Sequence, residues 1–110
     1  MAFDEGLADR VREIIRSQPG YMEKKMFGGL CFLIHGNMAC GITGDDLMVR
    51  AGAHTHEDLL EQPHTRAMDF TGRPMKGFVF VNPEGTAEDA ELARWIGFGR
   101  TYAESLPPKK

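Results

Sequence analysis

Three stretches of the chain combine residue types and spacings that could do chemistry. Residues 24–42, KKMFGGLCFLIHGNMACGI, hold Gly28 and Gly29, Cys31 and Cys40, His35, and the pair Gly36 and Asn37. Residues 54–61 gather His54 and His56 with Glu57, Asp58 and Glu61, a composition that can ligate a metal. Residues 71–77, TGRPMKG, set Arg73 and Lys76 among Gly72, Pro74 and Gly77, with Arg66 shortly before them.

Each has a structural alternative. A phosphate cradle needs a glycine loop that runs into a helix N-terminus, usually with Lys and Ser or Thr behind it. Gly28 and Gly29 run into the apolar stretch LCFLI, so a bulge or bend between strands is the reading the residues favour. His54 and His56 lack the i, i+4 placement that aims two rings at one ion, and no CxxC supports them, so no metal is expected. Ser17 and Ser105 are the two serines, both near expected helix ends, and no catalytic residue is assigned. The TGRPMKG loop keeps two cations on a backbone fixed by glycine and proline. Arg66, Gly72, Arg73 and Lys76 are therefore the candidate anion or partner site, against the alternative of a solvated hairpin tip.

The elements that must position these residues follow from periodicity. Leu7, Val11, Ile14 and Ile15 recur at helical spacing, Phe3 extends the series, Asp4 can cap the helix, and Pro19-Gly20 stops it. Short apolar runs broken by glycine predict strands near 21–26, 30–35, 38–43 and 47–50. Gly36-Asn37 is expected as a two-residue type II′ hairpin loop, which sets Cys31 and Cys40 on one face as buried, free thiols. Thr55-His56-Glu57-Asp58 and Thr86-Ala87-Glu88-Asp89 have helix-capping spacing. Between those helices, strands are expected at Ala67 to Phe70 and Gly77 to Val81. The last helix carries Leu92, Trp95, Ile96, Gly99, Tyr102, Ala103 and Leu106 on one side, where Trp95 and Tyr102 are expected to pack rather than stack on bases.

The resulting order, α-β-β-β(-β)-α-β-β-α, predicts an α+β fold: two layers, an antiparallel sheet of about five strands, and helices on one face. At 110 residues it forms one domain over 1–110, able to bury about two thirds of its unfolded surface without disulfide or metal. No cofactor is expected. An acidic N-terminus without a secretory pattern, free cysteines, and no apolar run of membrane-spanning length predict a cytoplasmic protein with no membrane partner. The formal net charge of -3 argues against direct nucleic-acid binding, which draws on many Lys and Arg contacts.

KKMFGGLCFLIHGNMACGI, DLMVRAG at 46–52, MDFTGRPMKGFVFV at 68–81 and the ending RTYAESLPPKK together resemble the N-terminal domain family of TfoX (Sxy). MFGG and TGRPMKG are the most specific parts, and the resemblance runs from about Leu7 to Lys109. It implies a two-layer α+β domain with an antiparallel sheet, and kinship with regulators of DNA-uptake competence that act alongside a cyclic-AMP receptor transcription factor. Two-domain members add a C-terminal helical domain. This sequence, ending at Lys110, is expected to correspond to the N-terminal domain alone. The family supplies no catalytic residues.

The expectation is thus a non-enzymatic binding module linked to transcriptional or competence-type regulation, whose protein partner is transcription machinery or a second copy of the chain, using a sheet edge or the basic loop. The alternative is a domain, binding or enzymatic, that takes a small anionic ligand at Arg73 and Lys76.

Overall fold

A computed structural model of the protein describes residues 3–26, 29–67 and 77–107. Helix α1 (Glu5–Ile15) starts where Asp4 Oδ1 accepts the Leu7 N–H at 3.1 Å, and it buries Leu7, Ala8, Val11 and Ile15. Phe3 is not part of the helix; it forms a short bridge to Gly44.

Four strands follow as a meander: β1 (Tyr21–Met26), β2 (Gly29–Ile34), β3 (Asn37–Thr43) and β4 (Asp46–Arg50). Helix α2 (Ala53–Leu60) precedes β5 (Thr65–Ala67), then come β6 (Phe78–Val81), a 3-10 turn (Pro83–Thr86), and α3 (Asp89–Ser105). Among the described residues the sheet has six strands rather than about five, in the order β1-β2-β3-β4-β6-β5. Every neighbouring pair is antiparallel, as the short connections within the β1–β4 meander and between β5 and β6 require; β4 and β6, joined through α2 and β5, are antiparallel as well.

Alternation along the strands divides the sheet's side chains between two clusters. Phe32, Ile42, Leu47, Val49, Val79 and Val81 join α1, Leu59 of α2, and Leu92, Trp95 and Ile96 of α3 in the main core. Burying an aliphatic side chain of this size stabilises by about 1.5–3 kcal/mol, so α3 alone contributes several such increments. The opposite face carries a second cluster of Cys31, Leu33, Met38, Met48 and Phe80, drawn from strands alone. Arg10 clamps α1 to the turn before α3, donating to the Thr86 carbonyl at 2.7 Å and pairing with Asp89 at 3.1 Å.

The β2–β3 hairpin departs from the expected register. Its loop is His35-Gly36, both with positive φ (51° and 83°), the geometry of a type I′ turn. Histidine visits this region more readily than most residues. Asn37 is displaced into β3, opposite Ile34, and its buried side chain donates to the Pro107 carbonyl at 2.9 Å. With an irregularity between Phe32 and Leu33, Cys31 opposes Gly41 and Cys40 opposes Phe32. Cys31 therefore falls in the second cluster and Cys40 in the main core, on opposite faces instead of one.

Both predicted capping boxes also move. Gly52 precedes α2 with φ 85°, leaving Thr55 inside the helix. Glu88 precedes α3, while the Thr86 hydroxyl donates to the Pro83 carbonyl. A chain turn supplied by Gly52, and a 3-10 turn supplied by Pro83 at its first position, each start the helix at a place the capping spacing does not indicate.

Candidate functional site

The second hairpin holds the candidate cations. β5 and β6 pair antiparallel with Arg66 opposite Phe80, so the two share a face. The Arg66 guanidinium lies 4.7 Å from the Phe80 ring centroid and donates to the Asp46 carboxylate at 2.6 Å and to the Asn82 side chain. Its charge is balanced by a carboxylate of β4, which lies on the far side of β6. Gly72, Arg73 and Lys76, like Gly28, lie outside the described residues, as does the expected strand beyond Ala67. Gly77, the last residue of TGRPMKG, accepts the Ala51 N–H at 2.8 Å, which fixes that end of the loop to the exit of β4.

Gly29 opens β2 opposite Met26, and a Cβ there would overlap the Ile42 carbonyl oxygen. Close backbone approach is the reason for glycine at that position. Cys31 and Cys40 are free and buried. Burial pushes the Cys31 thiol up to about 11 and, with Cys31 nearby as a lesser cause, the Cys40 thiol up to about 12. Neither is poised as a nucleophile, because the reactive form is the thiolate. The side chains of His54 and His56 lie outside those described. Among the described residues, no group of three His, Cys, Asp or Glu side chains is placed to hold a metal ion, and no helix is long and apolar enough to cross a membrane.

An open cleft of about 280 Å³ lies between the start of α1, Asp45 and the 3-10 turn, lined by Asp4, Arg10 and Thr86 among others. Asp4 is already spent on the helix cap and Arg10 on Thr86, Ala87 and Asp89, so the cleft is a joint between elements.

A different arginine stands out in the structure. Arg10, Arg12, Arg16, Arg66, Arg94 and Arg100 each pair with a carboxylate. Among the described residues Arg50 is the arginine with neither ion pair nor side-chain hydrogen bond; its guanidinium carbon instead lies 5.3 Å from the Tyr102 ring centroid and 5.8 Å from that of Phe78. Tyr102 is half-buried, so unlike Trp95 it is not a core residue. Sequence reasoning missed Arg50 because DLMVRAG reads as a strand end, and nothing in it shows which arginine lacks a carboxylate across the fold.

The family model of the TfoX N-terminal domain matches residues 13–99. The chain belongs to this family. The TfoX N-terminal domain match begins within α1 and ends within α3, and so takes in all six strands, both cysteines, Arg50 and Arg66. No curated protein and no solved structure matches the chain.

Proposed function

We propose that the protein is a non-enzymatic regulatory module that acts in the cytoplasm by docking a protein partner, in transcriptional or competence-type regulation. The observation that carries this reading is the match to the TfoX N-terminal domain over most of the chain. The thiols, withdrawn from reaction by burial, agree with a role in binding.

The contact surface proposed is the β1 edge of the sheet. An edge strand presents unpaired backbone groups to which a partner strand, or β1 of a second copy, can add. β1 is six residues long, against three described residues for β5 at the other edge. It also carries Met22, which is 59% exposed and the exposed large apolar side chain among the described residues. Met22 and Lys24 oppose Leu33 and Cys31, so they share the face of the second cluster and extend it to the edge.

The test is capture of partners from native lysate by the tagged chain, compared with Met22→Lys and with Arg73→Ala/Lys76→Ala. A partner held by wild type and released by Met22→Lys supports the β1 edge, and release by the double variant moves the contact to the basic loop. A partner list unchanged in both variants overturns the proposed surfaces, and capture of no partner overturns the module.

A further inference from the structure

We propose that the protein has a binding site for a small oxyanion, a phosphate or carboxylate group, at Arg50. The site lies where β4 leaves the sheet for α2, and it is separate from the β1 edge.

Three observations converge there. First, Arg50 is half-buried and its guanidinium has no ion-pair partner, whereas every other arginine among the described residues has one. Removing a cation partly from water strengthens its pull on any anion within reach. Second, Tyr102 and Phe78 hold the group through their rings, an interaction that uses the charge but none of the in-plane N–H donors. A fork of donors is left fixed and unspent, which is what bidentate recognition of phosphate or carboxylate requires. Third, the same Tyr102 ring packs on Gly52, where a Cβ would stand 2.5 Å from Cε1. Gly52 is the residue before α2, and no side chain caps that helix. The ring thus borders both Arg50 and the residue that leads into α2, a helix whose first backbone N–H groups, Ala53 foremost, have no side-chain cap and add donors of the same polarity. Replacing Gly52 would displace the ring as well as strain the backbone, so the residue serves the arrangement twice.

The experiment is an NMR titration of the full ¹⁵N-labelled chain with inorganic phosphate and, separately, with acetate, each against sodium chloride at matched ionic strength. Saturable shifts of the Arg50 Nε–H and of the Gly52 and Ala53 amides are expected with at least one anion, and the tighter of the two identifies the group recognised. Arg50→Gln should abolish saturation, and Arg50→Lys, which keeps the charge but loses the fork, should weaken binding about tenfold or more. Tyr102→Leu, which leaves Arg50 in place but unheld, should also weaken it, and it serves if Arg50→Gln does not fold. Shifts no larger than those with chloride, or saturation that survives Arg50→Gln, would overturn the site.

Discussion

Two glycines in one helix make opposite predictions. Gly97 and Gly99 both lie in α3, where glycine costs about 0.8–1.0 kcal/mol relative to alanine. A Cβ at Gly97 meets nothing within 4 Å. Gly97→Ala should therefore stabilise by about 0.5–1 kcal/mol, raising Tm by about 2–4 °C for a domain of this size. At Gly99 a Cβ would overlap the Ala39 carbonyl oxygen and stand 2.8 Å from its carbon, a backbone group of β3 that no rotamer change can move. Overpacking of this kind costs about 1–3 kcal/mol, and a clash with backbone belongs at the upper end. After the gain in helix propensity, Gly99→Ala should be net destabilising by about 2 kcal/mol, lowering Tm by about 8 °C. Urea and thermal unfolding of the two variants beside wild type measure both signs. If Gly99→Ala is as stable as wild type, α3 does not lie against β3 as closely as described, and the packing of the main core is wrong.

Thiol labelling under native conditions should be slow at both Cys31 and Cys40 up to pH 9, since burial raises both thiols to about 11 and 12; fast modification of either contradicts their burial. Arg12 holds the Glu23 carboxyl below its usual range, donating to it at 2.7 and 2.9 Å, with burial opposing and the Tyr21 hydroxyl adding to the lowering. A lowered carboxylate adds stability that is complete above its unfolded value near pH 4.3 and lost as pH falls through the folded value. Glu23→Gln should accordingly cost up to about 1 kcal/mol at pH 7 in urea unfolding, as partly exposed pairs do, and nothing at a pH low enough to protonate the carboxyl in both the folded and the unfolded chain. A cost that persists at that pH would assign the effect to packing instead.

Much of the fold was legible in the sequence because local signals and tertiary packing agree. Asp4 caps α1 as expected, the glycine-broken runs between Tyr21 and Arg50 are strands, and the apolar side of the last helix is buried at Leu92, Trp95, Ile96 and Ala103. Where the reading failed, a competing local choice won. Gly36-Asn37 satisfies one hairpin turn and His35-Gly36 another; the folded chain takes the second, and Asn37 then donates to the Pro107 carbonyl 70 residues away. The separate irregularity at Phe32/Leu33, where Ala39 is the extra residue of β3, carries Cys40 out of step with Met38 and into the main core, while Cys31 stays on the face of Leu33 and Met38, because side chains alternate with period two. Arg50 was not legible for a related reason: whether an arginine has a partner is decided by elements that meet only after folding.

The position of α3 in the chain order has a consequence for synthesis. It follows all six strands, yet it supplies Leu92, Trp95 and Ile96 to the core that Phe32, Ile42, Leu47 and Val49 line. At roughly 5–20 residues per second, its 17 residues take about 1–3 s to emerge from the ribosome. During that interval the nascent chain carries an apolar meander with one face still awaiting its cover. A chaperone that shields strands, or a ribosome that does not pause after Val81, would favour the yield of folded protein.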